Sequence, residues 1–265
     1  MATDSKPLQV ALTQIRQRIA ESCQRAGRQP DSVLLIAVSK TFPVDAVVQA
    51  ANAGQRHFGE NYLQEAVDKI SGVKEVALTL QDRSFDAGSL VWHFIGPLQS
   101  NKTRAVAEHF DWVHSIEREK VARRLSEQRP AHLPPLNVCI QVNVSGEQSK
   151  SGVTPEDVSP LAAVIASLPR LRLRGLMCIP EATDDGLLQR QRFARLRSLL
   201  QQLNQVRTAS QPELDTLSMG MSADMEAAIL EGATMVRIGT AIFGSRTAQP
   251  VTSPDTQPDS HGTAL

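Results

Sequence analysis

The sequence has few cysteines, since only Cys23, Cys139 and Cys178 occur in 265 residues. Their odd number and wide spacing give neither a disulfide framework nor a metal-ligand motif, and we expect reduced thiols and no metal site. No apolar run approaches the roughly 18–20 residues that a membrane span needs. The N-terminal residues also lack the apolar core of a secretory signal. We therefore expect a cytoplasmic protein.

The chain has no excess of charge, because 28 lysine and arginine residues balance 28 aspartate and glutamate residues. A neutral chain lacks the basic surplus that attracts nucleic acid or an anionic membrane, so we expect neither as a partner. Aromatic residues make up 4% of the chain, and Tyr62 is its single tyrosine. Any chemistry that needs a tyrosine base has this one candidate.

Short apolar segments alternate with amphipathic ones along most of the chain, after an N-terminal helix predicted over 7–27. Eight βα units in about 240 residues are typical of a single TIM (β/α)8 barrel, a fold of the α/β class. A doubly wound open sheet is the alternative. The predicted strands are 32–40, 56–60, 90–96, 112–116, 136–144, 172–180, 213–220 and 234–244.

Two segments do not fit the alternation. Residues 71–89 read as a polar insert after the second predicted helix. The C-terminal residues are rich in Pro, Ser and Thr and show no periodicity. We expect one barrel domain over 1–247 and a disordered tail over 248–265, because such a composition buries too little apolar surface to order the chain.

Lys40 follows the apolar segment Leu34–Val38. Side chains alternate along a strand, so Lys40 shares a face with Leu34 and Ile36. If that face lines the barrel, Lys40 lies at the mouth formed by the carboxyl ends of the strands, where barrels place their active sites. A neutral lysine amine there can form a Schiff base. The alternatives are a lysine that extends into solvent or one that pairs with Glu60.

The last two predicted strands end in small and hydroxyl-bearing residues. Ser218 and Met221 belong to "LSMGMSADMEAA", and Gly239 and Thr240 follow "MVRI". Barrels commonly bind a phosphate after strands 7 and 8, although serine and glycine are also ordinary turn residues. A phosphate site beside a Schiff-base lysine would specify a phosphorylated aldehyde.

Arg237 shares a strand face with Met235 and Gly239. An arginine inside a barrel is costly without a partner. Either a carboxylate in the barrel or the ring nitrogen of a bound pyridoxal phosphate would supply one. His93 lies in the predicted strand 90–96, and we interpret it as a residue near the strand end that lines the mouth or bonds the backbone. The sequence gives no support for a metal site made of histidines.

Eight motifs in order resemble the pyridoxal-phosphate homeostasis proteins, single-domain relatives of the alanine racemase barrel. The resemblance runs from about residue 7 to 246. The motifs are "AVSKTFP", "FGENYLQEA", "WHFIGPLQSNK", "HSIEREKVA", "VNVSGEQSKSGV", "LRGLMCIP", "LSMGMSADMEAAI" and "VRIGTAIFG".

The resemblance implies a TIM barrel that holds pyridoxal 5'-phosphate (PLP) as an internal aldimine. It assigns the Schiff base to Lys40 and the contact with the pyridine nitrogen to Arg237. It implies no catalytic residues of its own and no metal. The remaining implied cofactor contacts are Ser218, Gly239 and Thr240 at the phosphate, and Asn61 and Met221 beside the ring.

Three functions stay open from the sequence. The first is a non-catalytic, monomeric PLP-binding protein for intracellular PLP homeostasis, with PLP-dependent apo-enzymes as recipients. The second is a PLP-dependent amino-acid racemase, although the related racemases take their second base from a tyrosine of an added domain that we do not find here, and Tyr62 is the one substitute. The third is a sugar-phosphate enzyme with Lys40 as an aldolase-type lysine.

Overall fold

Eight parallel strands close into a barrel in the computed structural model, which describes residues 6–79, 86–147, 151–207 and 211–244. The strands follow one another around the barrel in chain order, and the last strand pairs with the first. They are β1 Leu34–Val38, β2 His57–Glu60, β3 Val91–Phe94, β4 Trp112–Ile116, β5 Leu136–Gln141, β6 Leu171–Met177, β7 Thr216–Ser218 and β8 Met235–Ile238. The TIM-type barrel predicted from the alternation is confirmed.

Helices connect the strands on the outside of the barrel. An additional N-terminal helix precedes β1 and packs against the second, eighth and ninth helices. The helices are α1 Lys6–Arg25, α2 Val44–Asn52, α3 Leu63–Thr79, α4 Thr103–His109, α5 Glu119–Gln128, α6 Val158–Ala166, α7 Gly186–Gln205, α8 Met225–Leu230 and α9 Thr240–Phe243. No helix in the described ranges is both long enough and apolar enough to cross a bilayer.

Alternate residues of β1 pack into two different apolar cores. Leu35 and Ala37 belong to the large apolar layer between strands and helices. Ile36 belongs to a smaller cluster with Trp112 and Met235, and Leu34 packs against that cluster. The predicted faces of β1 are therefore confirmed. The interior also carries polar side chains, so the centre of this barrel is only partly apolar.

Two boundaries differ from the prediction. The segment 71–79, read as a polar insert, continues helix α3. Its apolar residues recur at helical spacing, and Ile70 and Val73 are buried. The last predicted strand, 234–244, ends at Ile238, and the chain then turns into α9. The predicted tail over 248–265 lies outside the described residues.

Candidate functional site

The turn after β1 places Lys40 at the upper mouth, the barrel end where the strands finish. Lys40 is partly buried, and Ser39 before it is fully buried. The Phe42 backbone N–H donates to the Ser39 carbonyl (3.0 Å), which closes the turn. Thr41 has a φ of 67°, a left-handed conformation that costs a β-branched residue energy. Such strain persists only where neighbouring contacts hold it.

Those contacts come from an ionic cluster outside the barrel wall, formed by Lys69, Glu60 and Glu65. Glu65 Oε1 accepts from the Thr41 N–H (2.5 Å) and from Lys69 Nζ (2.9 Å). Lys69 Nζ also donates to the Ser39 carbonyl (2.7 Å) and to Glu60 Oε1 (2.7 Å). The cluster thus ties both residues that flank Lys40 to helix α3.

One predicted alternative paired Lys40 with Glu60. The described ion pair of Glu60 is instead with Lys69. Its Oε1 also accepts from the Ser39 hydroxyl (2.7 Å), whereas its Oε2 is buried without a described partner. Burial raises the pKa of Glu60, and the Lys69 ammonium acts in the opposite direction. Lys40 is therefore not needed as the counter-ion of Glu60.

Asn61 follows β2 at the same mouth, next to the turn that carries Lys40. Its Oδ1 atom is buried and has no described hydrogen-bond partner. Gly96, after β3, lies against the Asn61 backbone, and a Cβ at this glycine would overlap the Asn61 carbonyl. Asn61 therefore has a fixed backbone and an unsatisfied acceptor, as expected for a side chain that meets a ligand.

Arg237 lies on β8, inside the barrel and beside β1, where its register partner is Ile36. Its Nη1 donates to Ser218 Oγ (2.7 Å) and its Nη2 donates to the Cys178 carbonyl (2.9 Å). Both acceptors are neutral. Burial lowers the pKa of Arg237. The sequence predicted a carboxylate in the barrel as one possible partner of Arg237, and neither of these two hydrogen bonds is to a carboxylate.

The loops after β7 and β8 contain Gly239 and Thr240, which were predicted to contact the phosphate, and Met221, which was predicted to lie beside the ring. Gly239 follows β8 and Thr240 begins α9, where the first N–H groups of a helical turn have no intrahelical acceptor. A Cβ on Gly239 would lie 3.2 Å from the Val38 carbonyl, so β8 approaches β1 closely here. Met221 is 38% exposed. Its N–H donates to Asp224 Oδ1 (2.6 Å), which fixes the loop before α8.

A chain of histidines runs through the barrel interior below Arg237. His114 Nδ1 lies 2.8 Å from Ser218 Oγ, and its Nε2 lies 2.9 Å from His93 Nδ1. His93 Nε2 lies 3.0 Å from His57 Nδ1. His93 and His114 are fully buried, and His57 at the start of β2 is partly exposed.

The structure thus sorts the predicted site residues into two groups. Residues at the upper strand ends with surface still exposed are Lys40, Asn61, Met221, Gly239 and Thr240. Ser218 and Arg237 lie deeper and bond to each other. Ser218 also bonds His114, so both described partners of its hydroxyl group lie in the barrel interior, and its predicted contact with the phosphate stays a prediction.

The sequence analysis missed two features that the fold creates. Lys69 was unremarkable as a helix residue, because its partners come from three different elements. The histidine chain had a detectable signal, since His57, His93 and His114 lie on consecutive strands. The expectation that His93 bonds the backbone was wrong, because both of its ring nitrogens meet other histidines. The described residues contain no cluster of metal-ligand type.

The family model described as "Alanine racemase, N-terminal domain" matches residues 10–247. A Pseudomonas aeruginosa protein named pyridoxal phosphate homeostasis protein is 58% identical over 235 residues, which cover 89% of this chain and 94% of that protein.

Two solved structures superpose on most of the chain. A protein of Bifidobacterium adolescentis superposes with a TM-score of 0.80 at 33% identity, over 92% of this chain and 98% of that one. PipY of Synechococcus elongatus, solved with PLP bound, superposes with a TM-score of 0.71 at 38% identity, over 85% of this chain and 100% of PipY. The chain therefore belongs to the pyridoxal phosphate homeostasis proteins of the alanine racemase N-terminal domain family.

Proposed function

We propose that the chain holds PLP as an internal aldimine at Lys40 and serves as a non-catalytic carrier in intracellular PLP homeostasis. The observation that carries this proposal is the neighbourhood of β1 and β8 in the closed barrel. Lys40 follows one of these strands, whereas Arg237, Gly239 and Thr240 lie on or just after the other. An amine, a donor for the ring and a backbone anion site thus share one mouth.

The residues at this mouth fit the groups of PLP. The cofactor supplies a reactive aldehyde, for which a lysine amine is the protein partner. Gly239 and Thr240 offer backbone N–H groups to the phosphate, with Met221 at the neighbouring loop. Asn61 has a buried acceptor that a bound molecule could satisfy.

Arg237 decides the electronic state of the ring. A guanidinium carries donors only, so it can bond a ring nitrogen only when that nitrogen is unprotonated. PLP enzymes that use the ring as an electron sink commonly pair the protonated nitrogen with an acid. A ring held by Arg237 is a weak sink, which suits a carrier.

The related proteins support the cofactor. The relative from Pseudomonas aeruginosa is named for pyridoxal phosphate homeostasis, and PipY has been solved with PLP bound. The alternative of a racemase needs a second base across the substrate from Lys40. Tyr62, the single tyrosine, is 53% exposed just before α3, and no hydrogen bond among the described residues fixes its hydroxyl group.

A transfer experiment tests the carrier. The PLP-loaded chain, freed of unbound PLP, is mixed with a PLP-dependent apo-enzyme, and recovery of that enzyme's activity is followed. We expect recovery with the wild type and with Lys120→Ala, an exposed lysine on α5, but none with Lys40→Ala. Absence of transfer from a loaded wild-type chain would contradict the carrier function. The monomeric state, the cytoplasmic location and the identity of the recipients stay predictions.

A further inference from the structure

The histidine chain has a direction that Arg237 imposes. Because Arg237 only donates, Ser218 Oγ must accept from it. The single hydroxyl hydrogen of Ser218 then has one described acceptor, His114 Nδ1. A neutral imidazole has one donor and one acceptor nitrogen, so His114 donates from Nε2 to His93. His93 donates in turn from Nε2 to His57 Nδ1.

The surroundings keep the rings neutral. Burial lowers the pKa of His93 and of His57, and neighbouring histidines add to the effect at His93. Burial, with the nearby Arg237 cation, lowers the pKa of His114 to about 3. Trp112 stacks on His93 with ring centroids 5.5 Å apart, which fills the space beside the chain with an apolar group.

The lower end of the chain reaches the opposite face of the barrel. His57 lines an open pocket of about 550 Å³ at the ends where the strands begin. The charged groups around this pocket are Arg16 from α1, Arg56 beside His57, and Asp31 from the loop before β1. Burial lowers the pKa of His57 and so disfavours a positive charge on its ring, and a proton that reaches His57 is therefore released to solvent.

We propose that His114, His93 and His57 form a directional proton relay that drains protons from the cofactor end of the barrel to its lower mouth. This inference rests on the proposed function, because it gives the relay a task. If the ring nitrogen of PLP is protonated when PLP binds, it is a donor that faces the donors of Arg237. Its proton must leave before Arg237 can donate a hydrogen bond to it.

The transfer balances without leaving a charge inside. Ser218 Oγ takes the proton from the ring nitrogen as its own hydroxyl proton passes to His114 Nδ1. The Nε2 proton of His114 passes to His93 Nδ1, and the Nε2 proton of His93 passes to His57 Nδ1. The Nε2 proton of His57 leaves to solvent. One proton enters, one leaves, and each ring ends neutral with its proton on Nδ1.

The resting arrangement is tested first on the apo chain, with no cofactor involved. Nitrogen NMR of histidine-labelled protein at neutral pH should show His57, His93 and His114 as neutral rings with the proton on Nε2. His93→Phe should remove this uniform tautomer at His57, whose Nδ1 loses its donor, and should preserve it at His114, whose Nδ1 still accepts from Ser218. His132→Phe, at an exposed histidine, should change neither ring. Rings that are charged, or that carry the proton on Nδ1 in the wild type, would overturn the relay whatever the fate of the PLP proposal.

The transfer itself is tested by rapid mixing with PLP in the presence of a pH indicator. Proton release should keep pace with binding in the wild type and in His132→Phe, and should slow at least about tenfold in His93→Phe. His57→Gln, at the partly exposed end, is the second variant if His93→Phe fails to fold. The final absorbance of the bound cofactor should be the same in all of these proteins. Unchanged release kinetics in a folded variant that binds PLP would contradict the relay, whereas absence of PLP binding in the wild type would contradict the proposed function alone.

Discussion

The two sides of the upper mouth are held in different ways. On the β1–β2 side, the turn with Lys40 is fixed by the ion cluster of Lys69, Glu60 and Glu65, outside the barrel wall. On the β7–β8 side, Arg237 is fixed inside the barrel by a hydroxyl and a carbonyl oxygen. One side is charge-compensated and the other relies on neutral acceptors.

The difference matches the role that we propose for each side. A carboxylate beside Lys40 would hold its amine as an ammonium ion, which cannot attack an aldehyde. In the cluster, Glu60 therefore pairs with Lys69 and does not pair with Lys40. Under the proposed function, a carboxylate on Arg237 would compete for the donors offered to the ring nitrogen, whereas neutral oxygen atoms orient the guanidinium without neutralising it.

The largest effect should follow from breaking the charged side. Lys69→Met leaves Glu60 buried, with its carboxylate facing a second one on Glu65. Removing one partner of a buried ion pair costs about 3–5 kcal/mol of unfolding free energy. Urea unfolding of the apo chain measures this loss.

The matched control is Lys120→Met, because Lys120 is an exposed lysine on helix α5. We expect a change within about 0.5 kcal/mol for this variant. Glu60→Gln in the Lys69→Met background should recover part of the stability, since it removes the unpaired charge. Equal stability of Lys69→Met and Lys120→Met would show that the cluster does not hold the turn.

The two sides also differ in how much of their structure could be predicted from the sequence. Lys40 and Arg237 were predicted from strand alternation and from the resemblance, because both depend on a local pattern that the barrel preserves. The ion cluster was not predictable, because Lys69 reaches across from α3 to the ends of β1 and β2. The extra turns of α3 were missed because 71–89 was read as a polar insert, although its apolar residues recur at helical spacing. The change from β8 to α9 was misread, since short apolar segments fit a strand or a helix equally well.

The neutral side should respond to pH. Unfolded histidines bind protons as the pH falls below their ordinary pKa near 6.5, whereas burial lowers the pKa of His93 and His114 in the fold. The unfolded state then holds more protons, so stability falls as the pH drops from about 6.5. Each buried ring contributes up to about 1.4 kcal/mol per pH unit.

His93→Gln should reduce this pH dependence by up to the share of one ring, about 1.4 kcal/mol per pH unit. Urea unfolding at several values between pH 7 and pH 5 gives the slope for the wild type and the variant. His132→Gln, at an exposed histidine, should leave the slope unchanged. The same slope in His93→Gln and the wild type would mean that the interior rings take up protons in the folded state.

The smallest effects on activity and stability are expected for the two variants that test the racemase alternative, Arg237→Glu and Tyr62→Phe. Arg237→Glu should shift the absorbance of bound PLP, because a carboxylate can accept from a protonated ring nitrogen, but it should not produce a racemase. Tyr62→Phe should change stability by less than about 0.5 kcal/mol. Wild-type alanine racemisation near ordinary enzyme rates of ~1–10³ s⁻¹, abolished by Tyr62→Phe, would make Tyr62 a catalytic base and refute the carrier function.

The account depends most on Lys40. Borohydride reduction of the PLP-loaded chain, followed by peptide mass analysis, shows which lysine carries the cofactor. We predict a pyridoxyl group on Lys40, loss of the visible-edge absorbance on reduction, and no labelling in Lys40→Ala. A pyridoxyl group mainly on another lysine, such as Lys102 or Lys69, would contradict the account.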